Sequence, residues 1–154
     1  MSGTEHTHMK VSKLSRLRGF TLIELLIAIA IVAILASVAY PAYTSHIRRG
    51  KIASALAEMT ATRVRLEQFY QDFRKYGTTG TACGINMPSS TGFVLTCTSS
   101  TPWQTFTLTA TGKATENLSG YVYTVDNQDQ QKTVNFDGVN VDKPCWIKKA
   151  GETC

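Results

Sequence analysis

The sequence predicts an α+β protein: a long N-terminal α-helix, its hydrophobic half protruding, packs by its C-terminal half on a four-stranded antiparallel sheet. Three observations predict it. Phe20 to Tyr40 is an almost unbroken apolar run dominated by Ala, Leu and Ile, with no Gly and no Pro before Pro41. From Ile52 to Phe73, apolar residues recur at alternating four- and three-residue steps, as on one face of a helix. Beyond Gly92, short segments alternate apolar and polar side chains with the period of two that marks half-buried strands.

The apolar run is about 30 Å long at the helical rise, enough to cross the hydrocarbon core of a bilayer. One residue does not belong. Glu24 lies early in the run, where an unpaired carboxylate is expensive. Either it escapes to the headgroups from a position near one end, or it waits for a positive charge on a neighbouring copy. Pro41 removes a backbone donor and crowds the preceding turn, so it should bend the helix or weaken one of its bonds.

The helical pattern nevertheless resumes. Ile52, Leu56, Met59, Leu66, Tyr70 and Phe73 form the stripe, Arg63 takes the one missing place, and most Arg and Lys lie off it on a solvated face. The breakers Gly77-Thr78-Thr79-Gly80 should end the helix near Tyr76-Gly77, giving one helix of more than about 50 residues. A small-residue loop follows, ending in a strand at 93–97. Thr105 to Ala110 is the second strand, and Gly120 to Asp126, aromatic and β-branched, the third. Asn127 to Gln131 reads as a hairpin loop and Lys132 to Phe136 as the returning strand. Asp137 to Cys154 is expected to be loop.

Gly19-Phe20-Thr21-Leu22-Ile23-Glu24, followed by an apolar helix and by Pro41, resembles the cleavage and methylation signature of type IV pilins and their relatives. The resemblance implies that a prepilin peptidase cuts between Gly19 and Phe20 and that the new Phe20 amine is N-methylated. It also implies that Glu24 meets the Phe20 amine of an adjacent subunit during assembly, and that Pro41 sits at the helix kink. The chain then divides into a leader at 1–19, a transmembrane and filament-core helix at 20–42, and a globular head at 43–154. The run Cys145-Trp146-Ile147-Lys148-Lys149, with Gly151 and Cys154, resembles the disulfide-bounded C-terminal loop of pilins. Together with Cys83-Gly84, Pro88-Ser89-Ser90 and Cys97, it looks most like the PilE-like minor pilins.

Charge supports export of the C-terminal part. Lys10, Lys13, Arg16 and Arg18 face only Glu5 in residues 1–19, a net +3 of the formal +5. Cations before an apolar span hold that end in the cytoplasm. The basic balance therefore describes mostly the leader and is weak evidence for DNA. Met9 opens a shorter leader with the same charges, so the start is Met1 or Met9. His6 and His8 stand apart from any Cys or carboxylate cluster and do not read as a metal tract.

Four cysteines beyond an export segment point to an oxidising compartment and two disulfides. Three connectivities are open. Cys83–Cys97 and Cys145–Cys154 are preferred because each closes a short loop, contributing roughly 2–3 kcal/mol by loop entropy. No CxxC pair suits zinc. Asp126-Asn127-Gln128-Asp129 is a thin calcium candidate, and no phosphate-binding glycine pattern occurs. His46 is the one histidine beyond the leader and has no triad partners, so the chain reads as a substrate of enzymes and no cofactor is expected.

The leading function is a structural subunit, a minor pilin, that waits in the inner membrane with its head in the periplasm and is assembled into an extracellular filament. Its partners are other pilin subunits, the prepilin peptidase and methylase, and the inner-membrane assembly platform. Such a filament serves twitching, adhesion or DNA uptake. The alternatives are a DNA-binding uptake pilin, using Lys113, Lys143, Lys148, Lys149 and Trp146, and a type II secretion pseudopilin dependent on calcium. Replacing Gly19 by a bulky residue is expected to block maturation. Intact-mass spectrometry should then find the basic leader still attached, and a normally trimmed N-terminus would count against the cleavage reading.

Overall fold

The computed structural model describes residues 19–154. The rest of the leader, with Met1, Met9, His6 and His8, lies outside the described residues. The chain divides into two compact units at Tyr40 and Pro41. One helix, α1 (Leu22–Phe73, 52 residues), supplies the described helical residues of both and has Pro41 inside it. In the first unit every described residue is exposed, with Leu25, Ile29 and Val32 at 60%, 55% and 64%.

The second unit holds the core. Five strands, β1 (Phe93–Ser99), β2 (Phe106–Gly112), β3 (Val122–Asp126), β4 (Gln131–Phe136) and β5 (Val139–Lys143), form an antiparallel meander in sequence order. Alternation puts Phe93 and Leu95, then Phe106, Leu108 and Ala110, then Tyr123 and Val125 on one buried face. They share a cluster with Ile52, Ala55, Leu56, Met59 and Leu66 of α1. This is the expected two-layer packing, in which the apolar helical stripe covers the apolar sheet face.

The sheet has five strands where four were expected. The extra one, β5, arises from Phe136-Asp137-Gly138-Val139, where Asp137 (φ 54°) and Gly138 (φ 82°) are both left-handed. Two such residues make the tight turn whose twist suits a hairpin. Asp-Gly before Val139-Asn140-Val141 is the sequence signal for this hairpin, inside a stretch expected to be loop. The chain beyond β5 is still pinned to the sheet. Buried Thr133 donates its hydroxyl to Cys145 O (2.6 Å) and accepts the Ile147 N–H (3.0 Å), while Tyr123 donates to Ile147 O (3.0 Å).

The stripe also differs in detail. Arg63 is half-buried in its place on the stripe, Ala55 and Thr62 are fully buried as well, and Phe73 is 57% exposed. The helix stops at Phe73, short of Tyr76. Arg74 turns left-handed (φ 56°) with its N–H on Tyr70 O (2.8 Å), a cap of the αL type. The reason lies in Tyr76. Its ring is buried edge-on to Phe106, its N–H donates to Trp103 O (2.8 Å), and its hydroxyl donates to Glu67 (3.0 Å), positions a continuing helix would not reach.

Burial first, and then the Glu67 hydrogen bond, pushes Tyr76 up to about 12 from an ordinary 10.0. Tyr121 rises to about 12 through burial and then Asp137, and burial also raises Tyr123. Above the ordinary value the unfolded chain has lost protons that the fold retains, so stability falls as pH climbs from about 10 through 12. Melting temperature should decline across that window, and Tyr123→Phe should flatten the decline. A melting temperature constant over the window would contradict the burial argument.

Candidate functional site

At the head of α1, Gly19 and Phe20 are exposed, and a Cβ on Gly19 would meet nothing within 4 Å. The fold around Gly19 therefore does not itself require a glycine. Thr21 and Glu24 form a reciprocal cap. The Thr21 hydroxyl accepts the Glu24 N–H (3.2 Å), and Glu24 Oε2 faces the Thr21 N–H and hydroxyl, both at 3.4 Å. This Thr-x-x-Glu pattern satisfies otherwise orphaned helix-terminal donors, and the carboxylate suits the positive end of the helix dipole. Among the described residues Glu24 has no cation opposite it. At Pro41 the helix continues, and Thr44 donates its hydroxyl to Pro41 O (3.0 Å).

The four cysteines form two bonds. Cys83 is joined to Cys97 (Cα–Cα 5.7 Å), fastening the segment after α1 to β1, where Ala82 also bridges Thr98. Cys145 is joined to Cys154 (Cα–Cα 5.6 Å), closing the loop after β5. Within that loop Glu152 accepts the main-chain N–H groups of Lys148 (2.7 Å) and Lys149 (3.1 Å). The Lys148 bond first, against slight desolvation, holds its carboxyl below the ordinary range.

Charge on the second unit sorts into paired and unpaired. Lys51–Glu116 and Lys132–Asp142 close at 2.7 and 2.6 Å; Arg63–Asp129, Arg65–Glu58 and Arg48–Asp137 lie at 3.5 to 3.8 Å. Among the described residues Arg49, Arg74, Lys75, Lys113, Lys143, Lys148 and Lys149 have no carboxylate partner. The patch expected from sequence is only partly assembled. Lys143, Lys148 and Lys149 lie on or near the C-terminal loop, but Lys113 follows β2, three strands from β5, and donates to Ser90 O (3.0 Å). Trp146 is packed against the core with its indole N–H on Thr124 O (2.9 Å).

A cationic and aromatic surface that sequence reasoning missed lies at the end of α1. Lys75 Nζ stands 5.5 Å from the Trp103 ring centroid, and Trp103 donates its indole N–H to Gly80 O (2.9 Å). Gln104 donates to Arg74 O (3.1 Å) and accepts the Tyr70 hydroxyl (2.9 Å), locking the β1–β2 loop to the helix end. The only sequence signal was the Arg74-Lys75 pair after the helix. Nothing local connected it with Trp103. The calcium candidate is otherwise employed: Asp126 Oδ1 accepts the N–H groups of Gln128 and Gln130 (both 2.9 Å), and Asp129 pairs with Arg63. Among the described residues no three His, Cys, Asp or Glu side chains come together.

Two family models match the chain. The prokaryotic N-terminal methylation motif covers residues 14–40. The model described as type IV minor pilin ComP, DNA uptake sequence receptor, covers residues 41–132. Among solved structures, a type IV pilin from Shewanella oneidensis is similar at 15% identity, over 65% of this chain and 98% of that one, with a TM-score of 0.47. No curated protein matches the chain.

Proposed function

As a member of the type IV minor pilin family described by the ComP DNA uptake sequence receptor model, this chain is a pilus subunit, and we propose that its head binds duplex DNA entering through the pilus. The subunit is anchored in the inner membrane by its apolar helix before it joins the extracellular filament. The observation that carries the DNA reading is the surface at the end of α1. Arg74 and Lys75 are free of carboxylates there, beside Trp103, and all three lie within the residues that the family model matches. Unpaired cations on a surface rigidified by Gln104 are available to phosphates, whereas cations already in ion pairs give up a partner to bind.

Assembly follows from the exposed helix. Cleavage between Gly19 and Phe20 creates an amine, methylated on Phe20, whose positive charge needs a counter-ion once helices pack in apolar surroundings. Glu24 of an adjacent subunit supplies one. A buried pair adds little net stability, yet leaving one partner alone is costly, and that asymmetry sets the axial register. Along the second unit, Gly50, Ala53, Ala57, Ala61 and Val64 line an exposed, uncharged face of α1, small enough for another pilin's helix to approach closely. The prepilin peptidase, methylase and assembly platform act on the chain in that order, and the subunit's own role is structural.

Two outcomes are expected. Glu24→Val should leave a stable membrane protein whose share of sheared pili, measured by quantitative mass spectrometry, drops about tenfold or more, the cost of about 1.4 kcal/mol in register; normal incorporation would refute the pairing. Arg74→Ala with Lys75→Ala should weaken duplex binding by the full chain in detergent and reduce the slope of log affinity against log salt by about 1.8. An unchanged slope would remove the surface from the DNA interface.

A further inference from the structure

A second cluster of cations is left over by this reading. Arg48 and Arg49 of α1 and Lys148 and Lys149 of the C-terminal loop line a groove of about 190 Å³, with Ser45 and Asp137 at its sides. Four cations face one carboxylate. Asp137 already accepts the Tyr121 hydroxyl at 2.9 Å and sits 3.8 Å from Arg48. Arg49 is oriented by Ser45, donating from Nε to its carbonyl (3.2 Å) and from Nη2 to its hydroxyl (3.3 Å), which leaves further guanidinium donors free. Glu152 is spent on the main-chain N–H groups of Lys148 and Lys149, so both ammonium groups remain exposed without a partner.

We propose that this groove binds the phosphate of an anionic phospholipid headgroup while the chain is held in the inner membrane. Four features favour a headgroup over duplex DNA. The groove is sized for a single phosphate and its immediate substituents, not for a duplex. Arg48 and Arg49 follow the last residue of the apolar run, Tyr40, by only eight and nine residues. At the helical rise that is about 12–14 Å, and the headgroup layer itself occupies about 5–8 Å of it, so the cations come within about one Debye length of the lipid phosphates. Tyr43, 66% exposed, lies between run and groove, where aromatic residues mark the membrane interface. The two lysines also fall outside the residues matched by the minor pilin model.

The test uses the full chain in nanodiscs of phosphatidylcholine alone or mixed with phosphatidylglycerol, followed by hydrogen exchange. Amides of residues 145–154 should exchange more slowly in the mixed bilayer. Each cation at an anionic surface contributes about fivefold in affinity, so Lys148→Gln with Lys149→Gln should cut retained phosphatidylglycerol, measured by native mass spectrometry, by about 25-fold. Arg49→Gln should give a smaller loss, while Lys75→Ala should give none, which separates failure here from failure of the DNA reading. Equal exchange in the two bilayers, or a lipid effect that survives both lysine changes, overturns the proposal. So does equal protection by inorganic phosphate over phosphatidylcholine, which makes the ligand a free anion. Protection by duplex DNA and none by phosphatidylglycerol would also overturn it, in favour of a nucleic-acid groove.

Discussion

An apolar helical run with no cover among the described residues is the constraint on which everything else rests. Leu22 to Tyr40 offers water a continuous surface of Leu, Ile, Val and Ala. Such a surface has two homes, a bilayer and a bundle of similar helices. A filament subunit needs both in succession, and the same residues suit each. The one charge set into the described part of that surface is Glu24. Within its own chain, that carboxylate is held by Thr21 against the helix terminus, a modest and reversible interaction.

The second unit solves a different problem: holding a small α+β core together when helix and sheet touch through one layer each. The helix contributes a narrow stripe, the sheet contributes aromatic residues, and the buried tyrosines carry polar ends that must find partners. In each pair, at least one of the two partners stands outside the helix and the strands. Tyr76 reaches Glu67, Tyr121 reaches Asp137, and Tyr123 reaches Ile147 O. Connecting segments are thereby held by the core. The disulfides secure the same regions, one beside β1 and one after β5.

The fold class was legible in the sequence because its signals are periodic. The helix of more than 50 residues, the stripe from Ile52 and the alternation through Phe106, Leu108 and Ala110 each repeat often enough to override local exceptions. The fifth strand was not read, since Val139 to Lys143 is short and its single clue, Asp137-Gly138, also fits an ordinary loop. The helix end was misplaced because Arg74, not a glycine, takes the left-handed cap. Glu24 stood out because it breaks an apolar pattern. Trp103 and Lys75 did not, since their meeting depends on a tertiary contact between residues 28 apart in sequence.

The closing loop is held to the sheet largely through its peptide groups: the carbonyls of Cys145 and Ile147 accept from the Thr133 and Tyr123 hydroxyls, and the Ile147 N–H donates to the Thr133 hydroxyl oxygen. Attachment of this kind is indifferent to most of the side chains it carries. The path of the main chain therefore does not depend on the side chains at 148 and 149, so the two cations there answer to what this edge of the molecule meets and not to holding it in place.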